Sequence, residues 1–196
     1  MKLLGKIAII SANLIYLACL FTLPLVWLIP EPEAPNPLGA SFGGAQYGYT
    51  IEYPTHWYAY SPSDNLVVFQ GPEGTIGEYA SVNIQAIATR AQKGKFESLL
   101  TFTEHFRNRI TRSTDRLLSL QEAPYSYSLG DNDSLEGSEF KFEYLRDGED
   151  FKQWQIILPS RDGKLFFTWS YRARSVVYPQ LLPVAQLMLA SWKISV

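Results

Sequence analysis

The spacing of apolar residues along this chain changes repeatedly, and each change marks an element. From Ile7 to Ile29 there is no period: about 23 successive residues carry no charge, and about 20 helical residues cross the roughly 30 Å core of a bilayer. From Tyr47 the pattern alternates. Tyr47, Tyr49, Ile51 and Tyr53 share one face and Thr50 and Glu52 the other, as in a half-buried strand that Pro54 ends. Leu66 to Gln70 predicts a second strand and Glu78 to Ala88 a third, with Val82, Ile84, Ala86 and Ala88 facing one way and Ser81, Asn83 and Gln85 the other. The period then lengthens to 3.6, because Phe96, Leu99, Leu100, Thr103, Phe106 and Ile110 recur at helical spacing.

A run of strands follows: Leu117 to Gln121, Tyr125 to Leu129, Glu136 to Leu145, Phe151 to Leu158 and Lys164 to Arg172. Asp147-Gly148 and Asp162-Gly163 lie between the last three, and Asp-Gly supplies the positive φ angles of tight hairpins. These strands form an antiparallel meander, whose more apolar face collects Phe140, Phe142 and Tyr144, then Trp154, Ile156 and Leu158, then Leu165, Phe167, Trp169 and Tyr171. A second amphipathic helix ends the chain, with Tyr178, Leu181, Leu182, Ala185, Met188, Leu189 and Trp192 on its apolar side. Pro183 lacks an amide donor, so an irregular opening is expected, with regular helix from that residue onward. Met188 and Trp192 are expected in the core.

The flanks of the first apolar run orient it. Lys2 and Lys6 precede it and Glu31 and Glu33 follow, which keeps the N-terminus in the cytoplasm and places the rest outside, in a periplasm or lumen. A retained single-pass anchor is expected over a cleaved signal, because the run exceeds a signal core and no small-x-small site follows closely. Acylation at Cys19 is the third reading; Tyr16 stands where a lipobox carries an aliphatic residue, and Leu20 to Ile29 stay apolar beyond it. Pro30, Pro32, Pro35 and Pro37, then Gly39, Gly43 and Gly44, read as a linker. The organisation is thus an anchor over 1–29, a linker over 30–46 and one domain over 47–196.

Composition narrows the chemistry. A net charge of −2 argues against nucleic acid as a partner, and 14% aromatic residues suit a sheet-rich domain. Arg107, Arg109, Arg112 and Arg116 gather near the end of the first helix, where cations are favoured by the helix dipole; they are also the candidate docking site for a partner. His56 and His105 have no second ligand at metal spacing, and no Gly-x-Ser-x-Gly elbow is present. Asp131, Asp133 and Glu136 suggest a cation loop, but Glu136 and Phe142 stand where an EF-hand needs glycine and glutamate. Gly71 to Gly77 lacks the Lys-Ser/Thr of a phosphate loop. Trp57, Tyr58 and Tyr60 are candidates for either a recognition surface or packing. No catalytic residue, metal or cofactor follows, and a non-enzymatic protein is expected.

Gly48-Tyr49-Thr50-Ile51-Glu52-Tyr53-Pro54-Thr55-His56-Trp57, together with Tyr178 through Ser191-Trp192-Lys193-Ile194, resembles the PsbP and DcrB superfamily. Its domains open with a Gly-aromatic-x-aliphatic-x-aromatic-Pro-x-x-Trp strand and close with a helix ending in Ser-aromatic-x-aliphatic. The resemblance implies an α+β fold, an α/β/α sandwich around a central antiparallel sheet, here preceded by one N-terminal transmembrane helix. It implies binding rather than catalysis, since relatives include extrinsic subunits and assembly factors of photosystem II, periplasmic lipoproteins and Ran-binding proteins. The apparent anchor departs from the family's cleaved or lipid-bearing signals. The leading expectation is a non-enzymatic accessory or assembly protein, held at the bilayer by the N-terminal helix and binding a membrane-protein complex. The alternative is a small-ligand sensor or carrier, with a pocket between the sheet and the terminal helix.

Overall fold

The computed structural model describes residues 37–44, 48–130 and 133–195. The anchor over 1–29 lies outside them, and so do Cys19, Tyr47 and Asp131. No helix among the described residues is long and apolar enough to cross a membrane.

The domain begins before the linker's expected end. Leu38–Gly44 forms strand β1, which pairs antiparallel with β2 (Tyr49–Pro54). The glycines masked the alternation of Leu38 and Phe42, and Phe42 lays its ring edge-on against Phe69 at 5.8 Å. The two-residue β10 (Lys193–Ile194) pairs with the other edge of β2, completing a three-stranded sheet.

The larger sheet has seven strands in the order β3-β4-β5-β9-β8-β7-β6, every neighbouring pair antiparallel. Its members are β3 (Tyr58–Ser63), β4 (Leu66–Gln70), β5 (Ala80–Ala88), β6 (Arg116–Gly130), β7 (Asp133–Arg146), β8 (Glu149–Pro159) and β9 (Leu165–Arg174). Strand β3 was not foreseen, because Tyr58 and Tyr60 share its alternation with exposed polar neighbours. β6 is continuous where two short strands were expected. Pro124 fits within it because β6 is an edge strand, where a missing amide donor need not break a ladder.

The meander is present, but its two hairpins differ. Asp147 and Gly148 both take positive φ, 54° and 77°, as a two-residue hairpin turn requires. In the second hairpin only Gly163 does so, at 68°, and the loop is longer. Its Asp162 carboxylate is held at about 2 by hydrogen bonds from the Lys164 side chain and amide and from the Ser160 hydroxyl.

Helix α1 (Leu99–Ser113) starts at a reciprocal cap: Ser98 Oγ accepts from the Thr101 amide and Thr101 Oγ1 accepts from the Ser98 amide, each at 3.2 Å. Helix α2 (Tyr178–Ser191) is continuous through Pro183, correcting the expected irregular opening. Its first turn is pinned instead, by the Tyr171 hydroxyl donating to the Tyr178 carbonyl at 2.8 Å.

The register overturns the single apolar face. Phe140 stands opposite Gln155 and Phe142 opposite Gln153, so these rings point away from Trp154 and Ile156. Under α2 and the smaller sheet, Phe69, Val82, Ile84, Ile156, Leu158, Phe167, Trp169 and Tyr171 pack with Ile51, Leu181, Ala185, Met188 and Trp192. On the opposite face Phe140, Phe142, Tyr144, Ile157 and Phe166 pack with Phe102, Phe106 and Ile110 of α1. Each face thus carries its own core and its own helix, in an α+β fold that is mostly antiparallel sheet.

Candidate functional site

Helix α1 connects β5, near the middle of the sheet, to β6 at its far edge. It packs over β7, β8 and one end of β9, where Phe102 stacks on Phe166 at 5.0 Å, and leaves β3, β4 and the first part of β5 without a helix. The cross-strand rows follow this division. From β7 toward β4, one row reads Phe140, Gln155, Ser170, Asn83, Val68 and the next Phe142, Gln153, Arg172, Ser81, Gln70. Rings lie beneath the helix and amides, hydroxyls and a guanidinium beyond it.

These polar rows floor a cleft of about 550 Å³, walled by Phe102, Phe106 and Arg109 of α1 on one side and Tyr60 and Tyr79 on the other. Ser81, Ser170 and Gln155 are only 6%, 6% and 5% exposed. Their partners are few. Asn83 Nδ2 reaches Ser170 Oγ at 3.4 Å, Gln153 Nε2 reaches Gln155 Oε1 at 3.2 Å, and Gln155 Nε2 reaches the Ile156 carbonyl at 3.3 Å. The Ser81 hydroxyl has no hydrogen-bond partner among the described residues.

Three guanidiniums reach the cleft. Arg174 lies 3.3 Å from Glu149 and sits over the Tyr79 ring. Arg172 is half-buried, lies over the Phe151 ring and has no carboxylate partner among the described residues. Burial raises the Tyr144 phenol above its ordinary pKa, and the Arg172 charge beside it opposes that shift. Arg109 stands over Phe106 at 5.4 Å and is likewise without an ion pair among the described residues.

The four arginines singled out in the sequence therefore occupy different settings. Arg107 forms an ion pair with Glu122 at 2.6 Å, Arg109 lines the cleft, and Arg112 and Arg116 are exposed at the end of α1 and the start of β6. Trp57 is buried in the core, whereas Tyr58 and Tyr60 are exposed and only Tyr60 borders the cleft. His105 packs against the Phe96 ring, and its pKa is lowered by desolvation and then by the charges of Lys95, Arg109 and Arg112. In the acidic loop, Asp133 pairs with Arg161 at 2.6 Å, and Glu136 accepts hydrogen bonds from Ser126 and Ser134. Among the described residues, no three His, Cys, Asp or Glu side chains come together as a metal set.

Met188 and Trp192 are buried in the core, and beside them an open pocket of about 470 Å³ lies between the sheet and the terminal helix, lined by Tyr125, Tyr127, Trp154, Gln186 and Leu189. The cleft of about 550 Å³ is on the other face. Its one sequence signal was the polar face of Ser81, Asn83 and Gln85, on a strand that proves to be central rather than an edge.

No protein-family model matches the chain, and no curated protein matches it in sequence. Solved structures share its fold. Cyanobacterial PsbP (CyanoP) from Synechocystis superposes with a TM-score of 0.52 at 14% identity, over 84% of this chain and 96% of that one. A protein from Bacteroides thetaiotaomicron superposes with a TM-score of 0.51 at 12% identity, over 81% of this chain; the match spans 49% of that chain, about half its length. The likeness is one of fold, and the fold is PsbP-like.

Proposed function

We propose that this is a non-enzymatic accessory or assembly protein, held at a membrane by its N-terminal apolar run, whose extracytoplasmic domain binds a membrane-protein complex. The observation that carries the reading is the recessed polar part of the sheet that α1 leaves open, where Arg109 and Arg172 border the cleft without an ion pair among the described residues. The PsbP-like fold supports binding over catalysis. Arg112 and Arg116, exposed beside the cleft's helix, extend the docking surface toward an acidic partner. Photo-crosslinking residues placed at Gln85 and Arg112 in intact membranes are expected to capture a membrane protein. Recovery of the chain alone from both positions would reject the reading.

A second reading, a small-ligand sensor or carrier, is favoured by the concavity of the same surface. A cleft of about 550 Å³ is within the range that encloses small molecules. A ligand that binds only the native state raises the melting temperature, so a metabolite panel tests it. The rise must vanish when the cleft floor is altered by Gln85→Leu.

A further inference from the structure

We propose that the cleft is a binding site for an anionic sugar, its charged group held by Arg172 and Arg109 and its hydroxylated body lying along the amide floor. This deepens the small-ligand reading and rests on it. A sheet face open to water is normally polar, but this one is recessed: Ser81, Gln155 and Ser170 are each at most 6% exposed, so a ligand meets their polar atoms at the bottom of a cleft.

Charge supplies the second part. Arg174 is offset by Glu149, and the Glu78 carboxylate that also borders the cleft accepts a hydrogen bond from the Gly74 amide at 2.8 Å. Arg172 and Arg109 have no such offset among the described residues. A guanidinium presents its donors as a planar fork that fits a carboxylate or a phosphate, so the cleft selects a ligand with one such group.

The floor defines the rest of the ligand. Beyond Arg172 it offers amide donors and acceptors beside hydroxyls on β5, β8 and β9, a mixture that complements hydroxyl groups pointing in several directions. A fatty acid would leave them unpaired. Tyr60 at the rim offers a ring face against which the C–H side of a sugar can pack.

The full chain in detergent is titrated calorimetrically with glucuronate, glucose monophosphate, glucose, acetate and inorganic phosphate. One of the two anionic sugars is expected to bind at least about tenfold more tightly than glucose and than either bare anion, a difference of about 1.4 kcal/mol. Glucuronate against glucose monophosphate decides whether the group is a carboxylate or a phosphate. R172Q and R109Q are each expected to remove that advantage; Arg109 is exposed, so its variant folds normally. Equal binding of glucose and the anionic sugars, or no effect of either variant, overturns the anion while leaving the small-ligand reading intact. Tight binding of bare phosphate or acetate alone overturns the sugar. If no sugar binds and a metabolite panel also fails to raise the melting temperature, the small-ligand reading falls with it.

Discussion

The two faces of the seven-stranded sheet are made from the same alternating strands, and they differ in what covers them. Beneath α2 and the three-stranded sheet, apolar residues continue from Phe69 on β4 to Trp154 on β8. Beneath α1 the apolar cluster is smaller, reaching Phe166 on β9 at one end of the sheet and giving way to polar residues at the other. In the row from Phe142 to Gln70, the side chains change from ring to amide to guanidinium to hydroxyl across successive strands. Burial by a helix, rather than membership of a central strand, decides which positions are apolar. The fully covered face carries stability, and the half-covered face leaves room for a site.

The largest effect expected from this contrast is on the covered face. Trp169 is fully buried and meets Trp154 edge-on at 5.2 Å. Trp169→Ala removes a whole indole from a close-packed layer and should cost about 4–5 kcal/mol, read from the denaturant midpoint at unchanged slope. Its indole nitrogen has no partner among the described residues, so Trp169→Phe should cost much less, because it deletes an unpaired donor along with part of the ring. Equal losses in the two variants would show that shape alone matters there. Next comes the half-covered face. Phe106→Ala should cost about 3 kcal/mol, less than Trp169→Ala, because α1 borders the open cleft and can relax into it.

The division between the faces was only partly legible in the sequence. Most of the strands, both helices and the meander follow from period and turn residues, which are local. Facing is not local: a strand buried on both sides shows no contrast, so Phe140 and Ile156 looked equivalent until the register set Phe140 opposite Gln155. β1 was hidden because glycine at Gly39, Gly43 and Gly44 signals a flexible linker as strongly as it does a strand seated against a neighbour. The cleft was hidden because it depends on how far α1 reaches across the sheet, which no periodicity encodes. The arginine cluster was visible as a group, but Glu122, which pairs with Arg107, comes from β6 on the same face.

Alkaline titration gives a third, smaller contrast. On the covered face the Tyr178 phenol is pushed up to about 12 by burial and then by the charges of Glu139 and Glu143, and Tyr171 is raised further, by burial and then by Tyr178. These groups stay neutral in the fold while an unfolded chain ionises near pH 10, so above that pH the unfolded state binds fewer protons. Their contribution is whole below about pH 10 and is lost as the pH rises toward 12. Arg172 opposes the shift at Tyr144 on the other face. The melting temperature of Tyr171→Phe should therefore fall less steeply above pH 10 than that of the parent, whereas Tyr144→Phe should change the slope little. A parallel decline in all three would place the alkaline sensitivity elsewhere.

The smallest expected effect on stability is the sharpest test of the comparison. Ser81 is on the central strand β5, only 6% exposed, and its hydroxyl meets no partner among the described residues. Were the open half of this face built for stability, removing that hydroxyl would matter. A hydroxyl that makes no hydrogen bond within the chain forfeits none when it is removed, so Ser81→Ala should shift the unfolding free energy by no more than about 0.5 kcal/mol. Its effect on binding should be a loss: a hydroxyl held in a cleft for an external partner weakens capture when it is removed. A stability loss above about 1 kcal/mol with unchanged binding would make the polar floor part of the scaffold, and the two faces would then differ in composition but not in purpose.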